Sequence, residues 1–476
     1  MNKHKLLYVV LSFACLLPAS ATVKLPEILS DHMVLQQQSQ VKLWGKATPS
    51  STVTIHTSWN GTAYTCHTDQ NGRWLTKVQT PQASYTPYTI QFDDGDGTTV
   101  SLQDILIGEV WFCSGQSNMQ MPLRGYYNCP VEKSNEQIAL SGQFKGVRVA
   151  TIPLTGNVVP QEEVPGRWHL SCPKNAVDFS AAAYSYATMV NRVLDIPVGI
   201  ISCAWGGSYV EGWLPRRIVS TYPDIDIEKR LLKNDDGSWN WQSVIIMYNG
   251  MLHPLTNYTI KGFLWYQGES NVGHESTYAQ RLQTMVDLWR KEWGQGNIPF
   301  YQVEIAPFNY ESYRDAAALR EQQHLSTKMI PNSDIICISD LVYPYEKNQV
   351  HPARKQEVGY RLAYLALVKT YGVKGICTTY PEYQSMEIKG DTAIIHLTAS
   401  EHVSPFDGIQ GFEIAGKDRV FHPAQVKNAQ SSGALEVSSS DVPHPVAVRY
   451  CYKNWQLGNV VSQRGLPLVP FRTDSW

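Results

Sequence analysis

The hydrophobic period of the chain changes twice, near Ile105 and again near Gly372, and these two changes constrain the fold more than any other feature. From Val23 to about Gln103 the apolar segments are short and rich in β-branched or aromatic residues, as in Val41 to Trp44, Thr52 to Ile55 and Tyr88 to Phe92. Asn71-Gly72 and Asp94-Gly95 mark turns between them, and a small β-sandwich is the expected result. From Ile105 onward strands alternate with helices. Apolar strands from Ile105, Val198, Lys261, Pro299 and Ile335 are interleaved with helical patterns over Ala181 to Leu194, Leu282 to Trp293 and Arg354 to Lys369. Leu282, Val286, Trp289 and Trp293 share one helix face, and Val358, Leu362 and Leu365 share another. Such alternation predicts a parallel sheet covered on both faces. After Gly372 the pattern returns to β, most clearly at Thr392 to Leu397 and Val446 to Cys451. The expected order is a β-sandwich over 22–104, an α/β unit over 105–372 and a β-rich unit over 373–476. Arg216 to Ser243 reads as an irregular excursion from the α/β unit.

At 476 residues the chain is long enough for two or three cores. Its net charge of −2 gives no electrostatic reason to expect nucleic acid or an anionic membrane surface as a partner. Lys3 and Lys5 precede an apolar run from Leu6 to Leu17, and Ala19-Ser20-Ala21 offers small residues for cleavage. Residues 1–21 therefore read as a signal peptide, which predicts export to a periplasmic or extracellular location. Cys15 lies inside the apolar run without a lipobox before it, and no later segment is long enough to span a bilayer. The cysteines after this run form no CxxC pair, which argues against a zinc site. Cys113, Cys203 and Cys337 sit in apolar strands and are expected to be small buried hydrophobes.

Within the α/β unit, the run Gly108 to Met119, GEVWFCSGQSNM, carries an apolar strand into the turn Ser114-Gly115-Gln116 and presents Ser117. A serine just past a buried strand, with glycine beside it, can expose its hydroxyl while its own N–H helps to bind an oxyanion. Reactive groups in parallel sheets gather at the carboxyl ends of strands. Three further segments fall there: Ala204-Trp205-Gly206-Gly207, Gln267-Gly268-Glu269-Ser270-Asn271, and His351-Pro352 just before the last helix. Attack by serine on an ester needs a base in hydrogen-bond reach, for which histidine suits neutral pH, and donors where negative charge develops. Ser117 and His351 are the expected nucleophile and base. The expected oxyanion donors are the N–H groups of Ser117 and Gly207 and the Gln267 side chain.

This ensemble resembles the SGNH-type serine esterases and, more closely, the sialate O-acetylesterase family. The matching stretches are GQSNM around Ser117, SCAWGG before Ser208, GFLWYQGESN through Asn271 and VHPARKQEVGYRLA from Val350. LPEILSDHMVLQ, Leu25 to Gln36, resembles the family's amino-terminal β domain, and GLPLVPFRTDSW, Gly465 to Trp476, its carboxyl end. The resemblance implies an SGNH-hydrolase-like parallel sheet flanked by β-rich regions. It also implies removal of O-acetyl groups from an acetylated carbohydrate, with no metal or organic cofactor. Many related esterases carry an Asp two or three residues before the histidine, but here Gln349 and Asn348 occupy those places. The group that orients His351 is left open among a backbone carbonyl, an amide oxygen, Glu346, Asp340 and Glu269. Without a charged partner the imidazolium is less stabilised, so a lowered His351 pKa is expected.

Other readings attach to the same residues. His253 is the rival base, Glu269 is a base or a brace for the Ser117 turn, and Asn271 contacts the sugar or closes a loop. A sialic acid carboxylate would call for a cation, for which Arg124 and Arg320 are candidates, Arg320 having a helix-surface ion pair as its alternative. Acetylated xylan or pectin fragments need the same chemistry with a different cleft. A non-catalytic glycan-binding protein on an esterase scaffold is the reading from another class.

Overall fold

The structure, a computed structural model, describes residues 23–398, 402–429 and 433–476. The expected signal peptide lies outside the described residues. The organising element is a strand of 16 residues, β1 (Val100–Gly115). Its first half pairs antiparallel with Ser84–Asp93 of the amino-terminal β region and parallel with Val34–Gln36. Its second half is the centre of a parallel sheet. The strand thus runs unbroken across the 104/105 division drawn from the change of period. A second pair, Gln40–Lys46 with Arg73–Gln79, faces the first sheet, and Trp74 meets Phe92 with ring centroids 5.7 Å apart.

The other strands of the central sheet are β2 (Val147–Thr151), β3 (Trp168–Leu170), β4 (Val198–Ala204), β5 (Gly262–Tyr266), β6 (Phe300–Val303) and β7 (Ser333–Ile336). Their order is β7-β6-β5-β1-β4-β2-β3, parallel except for β3 at the edge. Helices α1 (Ser117–Gln120), α2 (Ala181–Leu194), α3 (Tyr278–Trp293), α4 (Ala316–Met329) and α5 (Lys355–Lys369) complete the unit. Because side chains alternate along a strand, Trp111 and Cys113 face one side of the sheet with α2 and α5. Phe112 faces the other, where it meets Trp289 and Trp293 of α3 at 6.0 and 5.3 Å. That second face and the amino-terminal β region share one apolar cluster, which includes Val53, Ile55, Phe92, Phe112 and Trp289.

The carboxyl-terminal part forms two four-stranded antiparallel sheets around Ile395, Phe412, Leu435 and Val448. The fold class therefore matches the expectation: a central sheet with helices on both faces, flanked by β-rich regions. Among the described residues no helix is long and apolar enough to cross a membrane. The short strands β2 and β3 and the four-residue helix α1 were not anticipated.

Candidate active site

The parallel strands β1, β4, β5 and β7 bring their carboxyl ends to one side, and the four sequence segments follow them. Gly115 ends β1 at φ 137°, and a Cβ there would lie 2.1 Å from the Tyr266 carbonyl oxygen, so the turn closes on β5 only without a side chain. The Gln116 N–H donates to that same carbonyl at 3.0 Å. Ser117 then opens α1, where the first N–H has no acceptor inside its own helix.

His351 arrives on the loop between β7 and α5, and its Nε2 lies 2.7 Å from Ser117 Oγ. That separation is the hydrogen-bond reach a general base needs. Tyr126 meets the imidazole edge-on with centroids 5.3 Å apart. Among the described residues the other ring nitrogen, Nδ1, meets no carboxylate; its neighbour is Cys129 Sγ at 3.7 Å.

The side chains expected to orient His351 are engaged elsewhere. Asn348 accepts from Asn309 Nδ2 at 3.0 Å, and Gln349 Nε2 donates to the Asn128 carbonyl at 2.7 Å. The Glu346 carboxylate holds the N–H groups of Tyr343 and Ala353 at 2.7 and 2.8 Å. Asp340 pairs with Arg361 at 2.7 and 2.6 Å. Glu269 accepts from Asn118 Nδ2 at 2.5 Å, the bracing contact to the nucleophile helix rather than a contact to the imidazole.

Behind the histidine lies a buried network. Lys355 is fully buried, and its Nζ donates to Asn118 Oδ1 at 2.8 Å and to the Pro352 carbonyl at 2.7 Å. Asn118 Nδ2 also donates to the Val350 carbonyl at 3.0 Å. Asn118 and Lys355 thereby hold the backbone on both sides of His351. Burial, and then the Lys355 charge, lowers the His351 pKa from 6.5 to about 4. Burial lowers Lys355 to about 7 against the pull of Glu269 and Glu346, and burial raises the Glu269 carboxyl. A neutral imidazole at neutral pH is the form that accepts a proton.

The β4 loop supplies the other wall. A Cβ on Gly206 would lie 3.4 Å from the Ser117 Cβ, so the two loops abut. The Gly206 N–H is taken by Gln120 Oε1 at 2.7 Å. Among the described residues no acceptor takes the N–H of Ser117 or of Gly207. Gln267 corrects the expectation. Its Nε2 donates to the Ser208 carbonyl at 3.1 Å and to Asn271 Oδ1 at 2.7 Å, while its Oε1 accepts from Tyr278 at 2.9 Å. Both amide hydrogens are spent on bracing one loop against the other, so none is left for an oxyanion. Asn271 is likewise buried, accepting from the Val210 N–H and donating to Glu211, and it closes the loop rather than facing a sugar.

The remaining candidates lie elsewhere or are engaged. His253 lines a separate cavity of about 550 Å³ with Trp44, Trp74 and Arg73, which shares no residue with the Ser117 site. Arg124 pairs with Asp178 at 3.2 Å. Arg320 is buried, not on a helix surface, and donates to the carbonyls of Cys451 and Lys453, tying α4 to the carboxyl-terminal sheets. Cys113, Cys203 and Cys337 are buried as expected, and the cysteines of the described residues are all free thiols.

Residues 107–367 match the family described as carbohydrate esterase, sialic acid-specific acetylesterase. A sialate O-acetylesterase of Mus musculus is 26% identical over 90% of this chain and 89% of its own length. That of Homo sapiens is also 26% identical, over 90% of this chain and 87% of its own. Among solved structures, a carbohydrate acetylesterase from Xanthomonas citri is similar to the chain with a TM-score of 0.83 and 29% identity, covering 96% of this chain and 100% of that one.

Proposed function

Because the chain belongs to the sialic acid-specific acetylesterase family of carbohydrate esterases, we propose that it is an exported enzyme that removes O-acetyl groups from sialic acids through a Ser117–His351 dyad. The observation that carries this reading is the 2.7 Å approach of His351 Nε2 to Ser117 Oγ at the carboxyl ends of parallel strands. Ser117 Oγ attacks the acetyl carbonyl carbon as its proton passes to His351 Nε2. The carbonyl oxygen takes the negative charge and is met by the N–H groups of Ser117 and Gly207. Collapse breaks the bond to the sugar oxygen, which leaves with the proton held on His351. Water then gives a proton to His351 and attacks the acetyl-enzyme, releasing acetate and restoring the serine hydroxyl.

Among the described residues the neighbour of His351 Nδ1 is Cys129, so in this reading the imidazolium formed in each step is met by a thiol rather than by an anionic carboxylate. Asn118 and Lys355 position the imidazole through the backbone at Val350 and Pro352, while the N–H groups of Ser117 and Gly207 act on the oxyanion and leave the imidazolium without a charged partner. Export rests on Lys3, Lys5 and the run Leu6 to Leu17; amino-terminal sequencing of the secreted protein, expected to begin at Thr22, tests it.

Substrate is tested by measuring acetate release side by side from O-acetylated sialic acid and from acetylated xylan and pectin oligosaccharides. The expected result is a preference for the sialic acid ester. A strong preference for the plant material overturns the substrate and keeps the mechanism. Clear glycan binding by folded protein with no acetate release from any ester favours a binding module.

A further inference from the structure

The irregular excursion Arg216 to Ser243 takes no part in the steps above, yet it returns to the site through Trp241. A Cβ on Gly207 would lie 2.6 Å from Trp241 Cδ2 and 2.7 Å from Cε3, so the indole rests directly on the glycine that offers an oxyanion N–H. Trp241 is 39% exposed, so part of its ring is open to solvent beside that glycine. Tyr209, two residues beyond Gly207, stacks with it at an interplanar angle of 15° and a centroid distance of 6.3 Å. Two nearly parallel rings thus stand at the edge of the Ser117 centre and present aromatic surface to solvent.

A second, independent feature adjoins this pair. The Arg230 guanidinium lies over the Tyr209 ring, 4.7 Å from its centroid. Three other cations of the excursion are paired with carboxylates, Arg216 with Glu228 at 2.7 Å, Arg217 with Glu292 at 2.8 Å and Lys229 with Asp226 at 3.2 Å, while Lys233 lies over the Trp239 ring. Among the described residues Arg230 pairs with no carboxylate, and its side chain donates only to the Gln242 carbonyl, at 3.3 Å. Stacking on an aromatic face leaves the edge of the guanidinium fork free to take a planar anion bidentately.

We propose that Tyr209, Trp241 and Arg230 form the sugar subsite of the Ser117 centre, the rings taking the apolar face of a pyranose and the guanidinium a carboxylate on that sugar. This rests on the esterase reading for its place in the reaction and predicts that the enzyme discriminates anionic from neutral acetylated sugars. Rigid aromatic side chains supply such contact area at low entropic cost.

The experiment compares wild type, Trp241→Ala and Arg230→Gln on three esters: O-acetylated sialic acid, an O-acetylated neutral methyl glycoside, and 4-nitrophenyl acetate, which has no sugar. Loss of a charge-assisted pair is expected to lower kcat/KM of Arg230→Gln on the sialic acid ester by about 10- to 100-fold, mainly through KM. The neutral glycoside is expected to change less than about threefold. Trp241→Ala is expected to lose at least about tenfold more on both sugar esters than on 4-nitrophenyl acetate. Equal losses on all three esters overturn the subsite. Calorimetry with free sialic acid reads the subsite without turnover. Binding weakened by Arg230→Gln in a protein that cleaves none of the esters keeps the subsite and sinks the esterase reading. Cleavage of 4-nitrophenyl acetate with sialic acid binding indifferent to both substitutions does the reverse.

Discussion

His351 Nδ1 faces the Cys129 thiol at 3.7 Å, in the place where a hydrolase with a full triad holds a carboxylate. A thiol is a weak donor and a weak acceptor, so it fixes the ring by contact more than by charge. The base then works from a lowered pKa, and its position depends on Asn118 and Lys355 gripping the backbone at Val350 and Pro352.

Replacing Cys129 separates these two effects. Cys129→Ala is expected to cost about two- to fivefold in kcat/KM, the worth of one weak contact. Cys129→Asp places a carboxylate against Nδ1 and favours the imidazolium, so the acid limb of the pH–rate profile is expected to move up by about one unit or more. An unmoved limb in folded Cys129→Asp contradicts the geometry around the ring.

The pH dependence itself follows from a base with a pKa of about 4. His351 accepts a proton only when neutral, so kcat/KM is expected to rise through about pH 4 as a single titration and to be level above it. Lys355, with a pKa of about 7, is charged throughout that limb and repels the imidazolium. Lys355→Met removes the repulsion while burial remains, so the limb is expected to shift upward toward, and to stop short of, the ordinary histidine value. A downward shift, read in protein shown to be folded by circular dichroism, contradicts the assigned sign.

The amides that replace the expected Asp make no contact with the histidine. Asn348→Ala and Gln349→Ala are therefore expected to keep kcat/KM within about threefold of wild type, whereas His351→Ala loses on the order of 10³-fold. Glu346→Ala frees two backbone N–H groups of the histidine loop and is expected to lower the melting temperature. A loss in Asp340→Ala, Glu346→Ala or Glu269→Ala as deep as in His351→Ala, with the fold intact, would identify a displaced triad acid.

Gln267 distinguishes a brace from an oxyanion donor. Gln267→Ala removes the donor to the Ser208 carbonyl and to Asn271 Oδ1, while the Tyr278 hydroxyl keeps the backbone carbonyl of residue 267, and is expected to cost about 1–3 kcal/mol of stability. Its kcat per folded molecule is expected to fall less than about tenfold, against the 10²- to 10³-fold typical of a lost oxyanion donor. Unchanged stability with a kcat loss of that larger size would restore the donor role.

Much of this site was legible in the sequence because its parts follow strands whose period could be read. Ser117, Gly207, the Gln267 loop and His351 each come after such a strand, and parallel pairing alone gathers them. The helix over Ala181 to Leu194 coincides with the observed one, since its apolar positions repeat cleanly. Cys129 was missed because nothing local marks it; it reaches His351 from 222 positions away. Lys355 carries no such signal either, since lysine is so rarely buried that its sequence gives no hint of a paired interior cation. Gln267 misled because residue type shows that an amide has donors and not whether the fold has already used them. Strand β3 is only three residues long at a sheet edge, too short for a period to show.

The nucleophile is tested most directly by labelling the folded protein with a fluorophosphonate and mapping the modified peptide by mass spectrometry while following acetate release. The expected result is one phosphonyl group per molecule on Ser117, loss of acetate release in proportion to labelling, and neither labelling nor release in Ser117→Ala. Acetate release that persists in folded Ser117→Ala, or inactivation by label on another residue, contradicts the Ser117–His351 mechanism.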